Sequence, residues 1–169
     1  IAAMVSGAGT TTGSDGSGSD TGFGSSEVDP MDILANSAKI HHGNDVPTDN
    51  RWFLASPEFY EQLGNASSKL MDASVTGDAS SPLRNGQVIN GMVNGFKLYM
   101  TNNFAASSTS NYYKVLSGHM SSTATANAIA KTEVVRDQES FADIVRGLHV
   151  FGRKVLRSDA LQCRHLLID

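Results

Sequence analysis

The sequence predicts an α+β fold, and three observations carry that prediction. Helix and strand signals are interspersed without a regular strand–helix–strand period. Two helices are marked by a capping residue followed by proline, at Asp29-Pro30 and Ser56-Pro57. Residues 96–101 alternate apolar and polar side chains, as a half-buried strand does. With 169 residues, 40% of them hydrophobic, the chain can fill one core but is too short for two large domains.

The elements follow in order. Residues 1–26 are almost entirely Gly, Ser, Thr and Ala, with Asp15 and Asp20 the only charges. Such a stretch buries too little apolar surface to offset its ordering entropy. Residues 1–28 therefore read as a flexible segment unless a neighbouring chain or element holds them. The folded part is expected to begin at Asp29-Pro30. Asp29 caps the free amides, Pro30 fits the first helical position, and Asp32 sits at the positive end of the dipole. Met31, Leu34, Ala38 and His41 share one stripe of a helix over 30–42, and Gly43 stops it.

A turn-rich stretch, 43–50, leads into the apolar run 51–55, a buried strand. The helix opened by Ser56-Pro57 turns Phe59 and Leu63 inward and ends at Gly64. Residues 65–86 are polar and read as a surface loop. Gly86, Gly91 and Gly95 mark a tightly turning segment before the strand at 96–101. Asn102-Asn103 ends that strand, and 104–117 reads as a second polar loop. Residues 124–135 fit either element: the alanines favour helix, while Ile129, Lys131, Glu133 and Val135 alternate as a strand would. The strand is the reading adopted. Phe141, Ile144 and Val145 fit one or two helical turns ended by Gly147, and 148–156 is a strand with a bulge at Gly152.

Composition excludes several function classes. Thirteen Lys and Arg against seventeen Asp and Glu leave a net charge of -4, which argues against a dedicated nucleic-acid binder. The basic groups are uneven: six of them, with eleven acids, lie in 1–119, and seven, with six acids, in 120–169. A single cysteine, Cys163, excludes an internal disulfide framework and a cysteine zinc site. No apolar run approaches a membrane span, and no signal peptide opens the chain. It begins at Ile1 rather than methionine, as a processed product or the ordered part of a longer chain does.

Motifs for chemistry are weak. Gly7-Ala8-Gly9 and Gly16-Ser17-Gly18 are followed by glycine one residue too late for a dinucleotide fingerprint, without a preceding strand. Gly16–Asp20 is one imperfect copy of a calcium-binding repeat that needs stacked copies. No Gly-x-Ser-x-Gly elbow occurs. His41 and His42 point to different faces of their helix, and His119, His149 and His165 lie apart in sequence, so the histidines read as structural or surface groups. Cys163 stands beside Arg164 and His165, which could lower a thiol pKa, but reads first as a small hydrophobe.

The order of longer segments is more informative. It begins with 44–52 (NDVPTDNRW), Ser56-Pro57-Glu58-Phe59 and 95–103 (GFKLYMTNN). Gly118-His119, Arg136-Asp137, Phe141-Ala142-Asp143 and 145–152 (VRGLHVFG) follow, and 154–161 (KVLRSDAL) closes the series. In this order, over about 30–161, the sequence resembles the C-terminal half of a tailed-bacteriophage major capsid protein. The resemblance implies the tailed-phage major capsid fold, α+β with a peripheral and an axial domain. Within a capsid-fold region 29–169, the axial domain would cover roughly 29–135 and the return to the peripheral domain roughly 136–161. Complete family members carry an N-terminal arm, an extended hairpin and a long spine helix. None is recognisable here, so the upstream half is expected to lie outside this chain, or residues 1–26 to be the remnant of its approach.

The resemblance also implies a structural protein without enzymatic activity or cofactor. Such a subunit self-assembles in the host cytoplasm into hexamers and pentamers of an icosahedral head that encloses the DNA genome, and resides in the virion. Scaffold, portal or decoration proteins are its further expected partners; packaged DNA is met non-specifically at most, and no membrane is involved. Within this reading Arg136, Asp137, Glu139, Asp143 and Arg146 are the expected inter-subunit contacts, because they alternate in sign around one short helix. Intramolecular pairing on a solvated face is the competing expectation, since exposed pairs contribute only ~0–1 kcal/mol. Two other classes stay open: a monomeric surface or secreted binding module with a Gly/Ser linker, and an enzyme using Cys163 and His165.

Overall fold

Strand β9, Leu161–Ile168, runs through the middle of the main sheet and is buried on both faces from Leu161 to Leu166. The computed structural model describes residues 1–13, 19–22, 27–65, 67, 92–104 and 111–168. On one edge β9 pairs antiparallel with β6, Tyr112–His119, in a register running from Tyr112 opposite Leu167 to Gly118 opposite Leu161. On its other edge lie two short parallel strands, β1 (Thr10–Thr12, with Thr11 opposite Cys163) and β2 (Ser19–Thr21, with Asp20 opposite Leu167). Beyond β6 come β3 (Arg51–Ala55, antiparallel), β5 (Phe96–Met100, parallel to β3) and the two-residue β4 (Met92–Val93). Asn94 (φ 52) and Gly95 (φ +82) make the β4–β5 turn, where both central residues need positive φ.

The chain is already in regular structure before Asp29. A short helix α1, Ala2–Ser6, precedes β1, and β9 is the neighbouring element that holds the small-residue segment in place. Three further expectations are corrected. Residues 112–117 belong to β6 rather than to a loop, because Tyr112, Tyr113, Val115 and Leu116 favour extended backbone and both faces of the strand are covered. Residues 141–147 form no helix: 137–142 is a turn, and strand β8, Asp143–Val155, runs through Gly147. Its partner β7, Thr123–Arg136, confirms the strand reading there. The irregularity in this pair lies between Ile129 and Lys131, not at Gly152, which sits in regular register with Ala126. The expected loop at 65–86, Gly86 and Gly91 lie outside the described residues, apart from Asn65 and Ser67.

Helix α2, Pro30–Gly43, starts as its sequence dictates: the Asp29 carboxylate accepts the Met31 amide at 2.7 Å, with Pro30 next. Leu34 and His41 are buried as expected, while Met31 and Ala38 are only half-buried. The inward face has rotated to include Ile33 and Ser37. Helix α3, Pro57–Leu63, turns Phe59 and Leu63 inward, but the Ser56 hydroxyl makes no cap bond. The two helices cover one face of the sheet, where Phe53, Phe59 and Phe96 pack at centroid separations of 5.5 Å (Phe53–Phe59) and 6.0 Å (Phe53–Phe96) among Ile33, Leu34, Leu98 and Leu166. The opposite face packs Leu116, Leu161 and Cys163 against Met4, Val5, Trp52, Leu54 and Phe104. Gly118 lets β3 and β9 close around β6: a Cβ there would stand 2.7 Å from the Trp52 ring and 2.9 Å from Leu161.

Phe96 contacts both the aromatic cluster and His41, so Phe96→Ala is expected to cost about 3–5 kcal/mol of unfolding free energy in urea titration. A loss below about 1 kcal/mol would show that the helix-covered face is not the core that holds the fold.

Candidate interaction surface

Strands β7 and β8 form a second, two-stranded sheet that pairs from Thr123 opposite Val155 to Arg136 opposite Asp143. Its described side chains on β8 are exposed from Asp143 to Lys154. Directly opposed residues share a face. One face carries Val134 and Val145, then Thr132 with Gly147, Asn127 with Phe151, and Thr125 with Arg153. The other carries Val135 and Ile144, Glu133 and Arg146, Lys131 and Leu148, and Ala128 with Val150. Val134, Val145, Leu148, Val150 and Phe151 are each more than half exposed. An isolated two-stranded ribbon is marginally stable in water, so this one is a surface in want of cover.

The residues expected to make inter-subunit contacts lie on this hairpin, not on a helix. Arg136 ends β7, Asp137 and Glu139 lie in the turn, and Asp143 and Arg146 are on β8. The turn is built by Asp137. Its carboxylate accepts the Ser140 hydroxyl at 2.6 Å and the Glu139 amide at 3.2 Å, and its own amide donates to the Ala142 carbonyl at 2.9 Å. Those bonds, the Ser140 hydroxyl first, hold the Asp137 carboxyl below its ordinary range. Arg136 lies over the ring of the fully exposed Phe141, 5.3 Å from its centroid. Arg146 pairs with Glu133 at 3.7 Å and Lys131 with the same carboxylate at 3.0 Å, both in solvent. The structure thus brings four of the five residues to one tip and sets Arg146 on the shaft with Glu133, a partner that sequence spacing did not reveal. Farther along, His149 bonds Asn127 across the strands, and Arg153 stacks on Phe151 at 5.8 Å.

Groups with chemical potential elsewhere are buried in structural roles. His41 is wholly buried: its Nε2 is 3.0 Å from the Ser117 hydroxyl, which donates in turn to the Gln162 carbonyl oxygen at 3.4 Å. Its Nδ1 has no hydrogen-bond partner among the described residues, and the Phe96 ring lies at 5.6 Å. Burial, and then the nearby Arg51, His42 and His119, push its pKa down to about 4. Cys163 is buried in the second core cluster, and that burial pushes its thiol up, with Lys114 acting the other way. Strand alternation turns Arg164 to the opposite face, where it donates to the Asn36 side chain at 2.6 Å. The activated thiol entertained from sequence therefore has no structural basis. Among the described residues, no three His, Cys, Asp or Glu side chains gather to hold a metal, and no helix is long and apolar enough to cross a membrane.

Comparison with known proteins places this architecture. A solved structure from Mycobacterium phage Che8 superposes with a TM-score of 0.68 at 29% identity, covering 96% of this chain and 55% of that one. The capsid of cyanophage P-SCSP1u gives a TM-score of 0.57 at 17% identity over 95% of this chain and 53% of its own. The mature capsid of bacteriophage PhiM1 gives 0.59 at 18% identity over 80% and 46%. Two of these similar structures are phage capsids. No protein-family model matches the sequence. No curated protein matches it. At 17–18% identity the last two likenesses are likenesses of fold. The chain spans about half the length of the chains it matches.

His41 makes stability pH-dependent with a definite sign. Its folded pKa of about 4 lies below the ordinary 6.5, so the unfolded chain binds the proton first. The contribution is complete above pH 6.5 and is lost as pH falls towards 4, by up to ~3 kcal/mol. Urea titrations at pH 7 and pH 4.5 should show a loss that a His41→Gln variant lacks; equal losses in both proteins would remove His41 as the cause.

Proposed function

We propose that this chain is a shell-forming part of a tailed-phage major capsid protein, which self-assembles into the hexamers and pentamers of an icosahedral head around the DNA genome. The fold match covering 96% of the chain supports this reading, and one observation carries it from fold to assembly. The β7–β8 hairpin leaves both its faces exposed, with large apolar side chains on each, a state that a subunit tolerates only if other polypeptide covers it in the working particle. The helix-covered sheet would be the axial domain, roughly 29–135, and the region 136–161 would return to the peripheral domain. Virion residence, assembly in the host cytoplasm, and contacts with scaffold, portal or decoration proteins follow from the same reading, as does contact with DNA that is non-specific at most.

A net charge of -4 is compatible with this role, because a shell need only enclose DNA, not bind it by sequence. Many weak contacts repeated by symmetry make a stable assembly without any single strong interface. Arg136, Asp137, Glu139, Asp143 and Arg146 are the charged contacts of this proposal. Four of them gather at the hairpin tip, where Asp137 has already ordered the backbone, so little further entropy is lost when a neighbour docks.

Electron microscopy of the expressed full-length protein is expected to show closed particles. Arg146→Glu should lower their yield sharply while leaving circular dichroism and the urea midpoint within ~1 kcal/mol of the parent, since the exposed Glu133 pair is worth no more than that. Normal shells from this variant would remove Arg146 from the interface, and a wild-type protein that stays single at high concentration would defeat the assembly reading itself.

A further inference from the structure

Where the end of α2 meets the main sheet, basic side chains gather around His41. The charged groups acting on it are Arg51 of β3, His42 of α2 itself and His119 of β6, all of them basic. β5 and β9 turn the uncharged Phe96 and Gln162 to the same place, and Arg164, next on that face of β9, is engaged with Asn36. The loop after α2 brings Asp45 and Asp49, both exposed, and Asp49 is bonded to the Asn50 side chain. Arg51 is only 2% exposed and makes no ion pair among the described residues. Its guanidinium donates to the Pro47 carbonyl at 2.7 Å and to the Val46 carbonyl, and lies 3.4 and 3.5 Å from the two ring nitrogens of His42. The Ser117 hydroxyl donates to Gln162, so Nε2 of neutral His41 carries the ring proton and a second proton must enter at Nδ1. That atom is buried with no partner among the described residues. A charged ring in this place would bury an unsatisfied donor close to Arg51.

We propose that this cluster is a proton-operated clasp: in acid the end of α2 and the loop 43–50 leave the sheet while the strands stay paired, and the release reaches the root of the β7–β8 ribbon through Asn44. The inference stands apart from the capsid-subunit reading. The closed clasp excludes a proton that the open one binds in water, so acid favours opening. The segment can leave as a unit, because the amides of Asn44, Asp45 and Val46 bond to the carbonyls of Ile40, His42 and His41, within α2, and not to a strand. Ile33 and Leu34 keep the start of the helix on the aromatic cluster. Asn44 is the link onward. Its side chain donates to the Asp159 carbonyl at 2.9 Å, and Arg157 donates to its carbonyl at 3.1 Å. The amides of Leu156 and Arg157 both donate to the Ser122 carbonyl, which ties together the two chain ends of the ribbon.

Hydrogen exchange of the full-length protein, read as protection factors at pH 7 and pH 5 with and without sub-denaturing urea, tests the clasp. The amides of Asn44, Asp45 and Val46 are expected to lose protection at least tenfold in acid. Their protection should be indifferent to urea, as local opening is, while that of β9 falls with it. Leu156 and Arg157 should lose protection in parallel, but not in an Asn44→Ala, Arg157→Ala variant that cuts both side-chain bonds. His41→Gln should abolish the acid loss at every one of these amides. Clasp amides that share the urea dependence of β9 at both pH values would overturn the proposal from the parent protein alone, whatever the variants do. An acid loss that persists in His41→Gln would remove the trigger, and root amides that respond alike with and without the Asn44 link would remove the coupling.

Discussion

The antiparallel pairing of β6 with β9 is the constraint on which the rest of this molecule depends. β9 is the last described strand and β6 lies some fifty residues earlier, yet their seven-residue register fixes everything on either side. Through β6 it positions β3 and β5, which carry the aromatic cluster beneath α2 and α3. Across its other edge β9 gives Thr10–Thr12 and Ser19–Thr21 the backbone partners that their small side chains could not secure by burial. It also delivers Gln162 to Ser117 and His41, and Arg164 to Asn36, so α2 is fastened to the sheet by buried polar contacts as well as by packing.

The second sheet obeys a different physics. Its two strands satisfy each other's backbone across one shared edge, but its side chains meet almost nothing of the described body except near Val155, which packs into the second core cluster. Cation–π stacks, the Glu133 bridges and the Asp137 turn give it local order at little net free energy. Stability therefore falls steeply from the main sheet to the hairpin tip. That gradient suits a subunit whose body folds first and whose extension is completed by what surrounds it.

Legibility in the sequence followed the same division. Asp29-Pro30, Ser56-Pro57 and the alternation that buries Phe96 and Leu98 located α2, α3 and β5 almost to the residue, because a proline in the first helical turn and one-sided burial leave a local trace. β6 and β9 were missed because strands covered on both faces need no alternation: Val115, Leu116, Ser117 and Gly118 are all buried in succession. The supposed helix at 141–147 failed for the converse reason. Phe141, Ile144 and Val145 have helical spacing, but the apolar groups of a fully exposed ribbon follow no inward face that spacing could report. Of the candidate contacts, the five charged residues were visible as a cluster of alternating sign. The pairing of Glu133 with Arg146 became visible only once strand register set the two side by side.

Hydrogen exchange of the same full-length protein before and after assembly probes this division directly. Amides of β6 and β9 should be slow in both states, while those along β7, β8 and the 137–142 turn should exchange quickly in unassembled subunits and slow by orders of magnitude in particles. Ribbon amides that are as slow in the free subunit as those of β9, or that stay fast in the finished particle, would contradict the claim that this surface exists to be covered.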